Sequence, residues 1–272
     1  MKILMGTSGW SYEEWVNVFY PSSSTPKLRY YSSVFDTVEV DSSFYSMPSS
    51  KVVLGWVKNT PAHFKFSPKI PKTITHDMKL RVDDKLQEEL SKFFRLVGPL
   101  SSTNKLGTLL LQLPPSLEFD LDRLERFLNV LPTDEMRFAV EFRNKTWMRD
   151  DTWELLKRRK VAYTIVDEPL LPNDLITTAE HVYIRWHGHG RRVWYDYRYS
   201  RDQIDEWANK LKSLKEKEVY AYWNNHFHGF AILNCLEELN SLGVLDERRE
   251  DLLRSIRSRI ESPKTLFDFA GV

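Results

Sequence analysis

Eight short runs of strand character recur along this chain, and longer stretches of a different period separate them. The runs are Ile3–Thr7, Thr37–Asp41, Phe64–Lys69, Gly107–Leu113, Phe138–Phe142, Ala162–Asp167, Val182–His187 and Val219–Asn224. The stretches between them repeat apolar residues every three or four positions. Alternation of the two periods predicts parallel strands joined by helical crossovers. Two architectures satisfy it: an open doubly wound sheet, and a closed (β/α)8 TIM barrel.

The helical stretches carry their own punctuation. Residues 82–97 place Val82, Leu86, Leu90, Phe93, Phe94 and Val97 on one face, and Gly98-Pro99 is the expected stop. Residues 120–131 open on Asp120, a suitable N-cap. Ser200 and Gln203 fit a capping box ahead of Ile204, Trp207 and Leu211. Residues 229–242 end at Gly243, and weaker helices are expected at 26–34, 50–58 and 150–159. After the sixth run, "EPLLPNDLITTAEH" is proline-rich, so its helix is expected to be reduced or missing.

The strand ends favour the barrel. Positions two apart share a face of a strand. On that rule Glu39 goes with Asp41, Lys65 with Ser67 and Lys69, Leu110 with Gln112, and Ala139 with Glu141 and Arg143. In the later runs Tyr163 goes with Ile165 and Asp167, Tyr183 with Arg185 and His187, and Tyr222 with Asn224. Strand after strand ends polar on one face. In a barrel these ends converge at the C-terminal mouth, where barrel active sites are built. An open sheet, covered on both faces, gives no reason for the pattern. The expected fold is therefore a single TIM barrel over residues 1–243, with a C-terminal helical extension over 244–272 around Leu252, Leu253, Ile256 and Ile260.

Charge and composition exclude some functions. The chain of 272 residues has 39 basic and 38 acidic side chains, a balance that gives no bulk field for nucleic acid or membrane. Short basic runs such as Lys157-Arg158-Arg159-Lys160 sit in helical patterns with acids nearby and read as solvated faces. No apolar stretch approaches ~20 residues, so no membrane span is expected. The first residues are too short an apolar run for a signal peptide. One cysteine, Cys235, at helical spacing from Leu239 and Leu242, reads as a buried small hydrophobe and fits a reducing, cytoplasmic setting.

Several blocks together resemble the YecE-like family, also called domain of unknown function 72. They are "GTSGWSYEEWVNVFYP", "FDTVEVDSSFYSMPS", "PKTITHDMKL", "LGTLLLQLPPS", "AVEFRNKTW", "YIRWHGHG" and "YWNNHFHGFAILNCLEEL", in the family's order over roughly residues 1–240. The resemblance implies a TIM barrel and no established activity. This chain departs from the pattern at Asp41, commonly Asn, at Ser43, commonly Thr, and at Asn144, commonly His. Asn144 removes a candidate base or metal ligand.

Three chemistries compete for the mouth, and a plug of mutually paired charges (Glu39 with Arg185, Glu141 with Arg143) competes with all of them. The first is an anion site. "RWHGHGR" and "WNNHFHG" follow the last two strands, where barrels hold phosphate, and Arg185, His187, Asn224, Asn225, Lys69 and Arg143 supply donors and charge. The second is a metal site from His187/His189 and His226/His228. No helix or strand fixes either spacing, so no metal ligand is assigned and the cofactor stays unknown. The third is metal-free acid/base catalysis by Glu39, Glu141, Asp167 and His187, with His76 as a second histidine. Trp10 and Tyr12, in the "GTSGWSYEEW" loop, with Tyr45, Trp147 and Trp186 near other strand ends, are candidate pocket walls for a sugar or base. Trp15 reads as loop packing.

The expected function is a hydrolase- or isomerase-like enzyme on a small anionic substrate, a phosphosugar or nucleotide. Gln112 and Asp41 complete its expected binding set. The runner-up is a nucleic-acid-binding protein or phosphodiesterase resembling endonuclease IV. A third alternative is a non-catalytic ligand-binding scaffold.

Overall fold

All eight expected runs form strands in the computed structural model, which describes residues 2–216 and 218–261. They are β1 Lys2–Thr7, β2 Thr37–Val40, β3 Lys65–Pro68, β4 Thr108–Gln112, β5 Arg137–Glu141, β6 Ala162–Asp167, β7 His181–Trp186 and β8 Glu218–Trp223. Six of them form one parallel sheet in the order β1-β8-β7-β6-β5-β4, and β2 pairs with β3. The two sheets meet at both margins. Gly9 N donates to Glu39 O at 2.8 Å beside a Ser8–Glu39 bridge, and Gly107 N donates to Phe66 O at 2.7 Å beside a Phe66–Leu106 bridge.

Glycine makes these approaches sterically feasible. A Cβ on Gly6 would lie 2.1 Å from Thr37 O, and one on Gly107 would lie 2.6 Å from Ser67 Oγ. The Tyr31 hydroxyl fills the first margin, accepting from Thr7 N at 2.8 Å and donating to Thr37 O at 3.2 Å.

The helices are α1 Lys27–Tyr31, α2 Ser42–Tyr45, α3 Ser50–Lys58, α4 Asp84–Ser102, α5 Leu121–Asn129, α6 Asp150–Arg158, α7 Arg201–Ser213, α8 Phe230–Ser241 and α9 Glu247–Glu261. The caps form as expected. Asp120 accepts from Arg123 N at 3.0 Å, and Ser200 with Gln203 closes a capping box. Gly98-Pro99 does not stop α4, which runs on to Ser102 with Pro99 inside it. A proline costs the helix one N–H bond, and burial of Leu100 beside Leu86, Leu90, Phe93 and Val97 keeps the turn in place. Residues 168–180 carry no helix, so the eight-fold strand–helix alternation is incomplete between β6 and β7.

The C-terminal helix α9 buries Leu253 and Ile256, and Arg257 Nη2 meets Glu237 Oε1 of α8 at 2.9 Å. The rest of the expected extension, residues 262–272, lies outside the described residues. Cys235 is fully buried, as its spacing predicted. Among the described residues no helix is long and apolar enough to cross a membrane.

Candidate functional site

The inner face of the strands is tiered. Leu4, Leu110, Ala139, Ala162, Tyr183, Tyr220 and Tyr222 form an apolar cluster of their own. The Tyr222 hydroxyl donates to Ser67 Oγ at 2.7 Å and meets Thr37 Oγ1 at 2.8 Å, tying β8 to β2 and β3.

Two residues further along the strands, toward their C-terminal ends, lies a charged floor. Arg185 is fully buried, donating from Nη2 to Glu39 Oε1 at 2.7 Å and from Nη1 to Glu141 Oε2 at 2.6 Å. Glu39 also accepts from Ser8 Oγ at 2.6 Å and Tyr183 OH at 2.7 Å. Glu141 accepts from Gln112 Nε2 at 2.7 Å and Arg143 Nη1 at 2.9 Å. Arg143 Nη1 lies 2.8 Å from Glu168 Oε2. The floor is thus a row, Glu39, Arg185, Glu141, Arg143, Glu168, in which signs alternate. Each buried charge has the partner that burial demands.

A cavity of about 400 Å³ opens over this floor at the strand C-terminal ends. Lys69, Lys72, Arg143 and Arg185 bring four cations to it, against one carboxylate, Asp41. His76, Gln112, His187, Asn224, Phe44 and Tyr45 also line it, and Tyr12, His226 and Tyr195 form an aromatic side. Tyr12 stacks on His226 with ring centroids 4.4 Å apart. A larger cavity, about 920 Å³, lies at the other end of the strands around Arg137 and His181. Arg137 there pairs with Glu218 at 2.5 Å and Lys160 with Asp134 at 2.8 Å.

Burial sets the protonation states here. It pushes His187 down to about 4, with the Arg185 charge adding to it. Asn224 Nδ2 lies 2.9 Å from His187 Nδ1. With Nδ1 accepting, the ring proton sits on Nε2, which faces Glu141 Oε1 at 3.3 Å. Burial opposes ionisation of Glu141, yet Arg185, His187 and Arg143 hold it well below the usual carboxylate range. Burial raises Glu39 despite Arg185. It raises Glu168 to about 7 against the opposing Arg143. It lowers Lys69, with Arg185 adding to the effect, and lowers His76, with Lys69 and Lys72 adding.

Residues 4–255 match the family model described as protein of unknown function DUF72. The chain belongs to the DUF72 family. UPF0759 protein YunF of Bacillus subtilis (strain 168) is 28% identical over 271 residues, 89% of this chain and 95% of its own. UPF0759 protein YecE of Escherichia coli O157:H7 is 28% identical over 235 residues, 77% of this chain and 80% of its own. The crystal structure of a DUF72 family protein from Thermotoga maritima MSB8 matches with a TM-score of 0.81 at 32% identity, covering 89% of this chain and 100% of that one.

In this DUF72 chain the cavity gathers Tyr12, Asp41, Tyr45, Lys69, His76, Gln112, Arg143, Arg185, His187 and Asn224 from the expected set. Glu39 and Glu141 lie in the floor beneath it, fully buried. Four expected residues sit elsewhere. Asp167 is on the helix side of β6, where Oδ2 accepts from Trp207 Nε1 at 3.1 Å and Oδ1 meets His189 Nε2 at 2.9 Å. Trp10 packs edge-on to Trp56, centroids 5.8 Å apart. Trp147 stacks on Phe142 and donates from Nε1 to Leu117 O at 2.8 Å. Asn225 donates to Tyr197 O and Asn234 Oδ1, both at 2.8 Å. Trp186 also turns outward, stacking on Trp223. Trp15 packs in the core as read.

The β6 error has a steric cause. The expected inner face was Tyr163, Ile165 and Asp167, but Ala162 is the inner residue, which puts Glu168 at the mouth. Tyr183, Tyr220 and Tyr222 fill much of the interior, and β5 and β6 meet them with the small residues Ala139 and Ala162. The His-x-His pairs are split. His187 is under the cavity while His189 meets Asp167, and His226 meets Glu14 while His228 pairs with Asp196. Asn144, at the family's common His position, caps a turn, accepting from Thr146 N at 3.0 Å. Phe44, Lys72 and Tyr195 also line the cavity and are outside the expected set, and His226, expected only as half of a metal pair, lines it too. They lie on loops or a short helix, beyond the reach of strand alternation.

Proposed function

We propose that this DUF72 protein is an enzyme of isomerase or hydrolase type acting on a small anionic substrate, a phosphorylated sugar or nucleotide. The observation that carries the reading is the cavity lining, in which Lys69, Lys72, Arg143 and Arg185 stand with one carboxylate, Asp41; Glu39, Glu141 and Glu168 pair the two arginines from beneath, and Lys72 is left exposed at the rim. A site of about 400 Å³ has room for one sugar phosphate. The reading also takes the strands as a closed barrel spanning residues 1–243 with α9 as its extension, which the contacts at both sheet margins support.

Lys72, exposed at the rim, and Arg143 meet the anion. Tyr12 and Tyr195 flank the sugar or base. Glu168, titrating at about 7, supplies an acid, and His187, held neutral and engaged at both ring nitrogens, positions Asn224 and Glu141. Glu39 and Glu141 are positioning residues that hold Arg185, and Asp167 holds the β6–α7 contact.

Thermal unfolding with sulfate, phosphosugars and nucleotides tests this, because a ligand of the folded state raises the midpoint by mass action. A rise with sulfate or a phosphosugar, reduced in Lys72→Gln, is expected. No rise with any anion would remove the reading.

A further inference from the structure

We propose that Lys69 is an imine-forming nucleophile, and that the mouth accepts small anionic aldehydes or ketones. The proposal rests on the anion-pocket reading for the charge of the substrate, and goes beyond it for the reacting group.

The backbone at Lys69 is pinned. Its N–H donates to Val40 O at 3.2 Å, and its carbonyl accepts from Ser43 Oγ at 2.7 Å. The side chain follows Lys65 and Ser67 on the inner face of β3 and reaches the cavity. The residue is only 6% exposed, yet among the described residues its ammonium donates no hydrogen bond. The nearest carboxylate oxygen, Asp41 Oδ1, lies 3.6 Å away, and that buried atom accepts no hydrogen bond either. The Phe44 ring covers another side of Nζ at 4.1 Å.

An ammonium meant only to hold charge is served by acceptors around it, as exposed Lys72 is served by water. An amine meant to react needs its lone pair, and a desolvated lysine beside another cation is the environment that frees it. Burial lowers the Lys69 amine from its ordinary value against the opposing Asp41 carboxylate, with Arg185 adding to the lowering.

The step balances without a redox partner. Free-base Nζ attacks the carbonyl carbon, forming a C–N bond as the C=O π bond breaks. The nitrogen sheds its two protons in turn, Asp41 Oδ1 relaying them to the former carbonyl oxygen; the C–O bond then breaks, that oxygen leaves as water, and the imine remains. The imine acidifies the adjacent C–H, which suits an isomerase.

The test traps the imine in the wild-type protein. Glycolaldehyde phosphate is added with cyanoborohydride, and each lysine's reduced adduct is followed by peptide mass spectrometry. Lys69 is expected to label several-fold faster than exposed lysines, since a lowered amine carries more free base at neutral pH. Sulfate is expected to slow that labelling, and Lys69→Arg to remove the site while leaving exposed lysines unchanged. Labelling spread over exposed lysines, with Lys69 no faster, overturns the proposal. A sulfate thermal shift without Lys69 labelling overturns the nucleophile and leaves the anion pocket standing. Fast Lys69 labelling that sulfate neither slows nor accompanies with a thermal shift supports the nucleophile and overturns the anionic substrate.

Discussion

Lys65 and Lys69 stand four residues apart on the inner face of one strand, and both are buried, at 9% and 6% exposed. Lys65 Nζ donates to Asn104 O at 2.5 Å and to Asn104 Oδ1 at 2.8 Å. Lys105, beside it, donates to Thr60 O at 2.7 Å and Pro61 O at 2.6 Å. Lys69 donates to nothing described. One end of the strands satisfies its cations with fixed carbonyls and the other leaves a cation facing a cavity. Burial penalises both ammonium groups, and the bonds to Asn104 offset part of that cost at Lys65, whereas Lys69 has no hydrogen bond to offset it. That difference separates scaffold from candidate site better than burial or charge does.

The floor should behave as scaffold most strongly. Arg185→Met strands Glu39 and Glu141 without their shared cation. A loss of about 3–5 kcal/mol is expected from breaking a buried pair, read as a fall in the urea midpoint. Arg143→Met, at the edge of the row, should lose much less stability and should weaken sulfate binding. Equal unfolding by both variants would erase the distinction between floor and wall.

The two lysines themselves make the next contrast. Lys65→Met removes two charged hydrogen bonds to Asn104, so a loss of about 1.5–3 kcal/mol is expected. Lys69→Met removes a cation that donates no hydrogen bond and makes one loose ion pair, to Asp41 at 3.6 Å. Its midpoint should hold or rise, while imine trapping disappears. A Lys69→Met protein as unstable as Lys65→Met would mean that the ammonium is structural after all.

How much of this was legible beforehand follows from what each residue depends on. Strand positions and caps depend on neighbours in sequence, so Asp120, Ser200 and all eight runs read correctly. The inner face of β5 and β7 read correctly because Glu141 and Arg185 mark it with charge. In β6 both faces end in an acid, Asp167 or Glu168, and only the bulk of tyrosines on other strands decides between them. Trp10 and Trp147 were misplaced for a similar reason. A loop tryptophan lines a pocket or covers a core according to the partners the fold brings near it, here Trp56 and Phe142.

A third buried acid sharpens the same logic behind the sheet. Glu238, on α8, is fully buried, and neither carboxylate oxygen has a hydrogen-bond partner among the described residues. Burial, with Asp205 adding to it, pushes its carboxyl up to about 9 from 4.5. The folded form keeps a proton that the unfolded chain releases near 4.5, so this group's contribution is present in full below that and is lost as pH rises toward 9. Glu238→Gln should therefore stabilise at alkaline pH, by about 1–3 kcal/mol, with the gain shrinking toward acid pH in thermal melts. A variant whose advantage does not depend on pH would deny that Glu238 carries the buried proton.

The smallest effect belongs to the floor carboxyl, Glu168, that titrates closest to neutrality. Glu168 sits 2.8 Å from Arg143 and ionises at about 7. Below that value it is neutral and Arg143 keeps its charge for a ligand. Above it, a carboxylate competes with the ligand for the same guanidinium. Sulfate keeps its charge across this range, so its affinity should fall about threefold between about pH 6 and pH 8, a fraction of a kcal/mol as befits a partly solvated pair. Isothermal titration at the two pH values reads the slope, and Glu168→Gln should flatten it. Lys65 and Lys105 lie at the far end of the strands, bonded to carbonyls, so replacing either should leave the slope intact. A slope that survives in Glu168→Gln would move the titrating group to the wall, to His76 first, and take the acid role proposed for Glu168 with it.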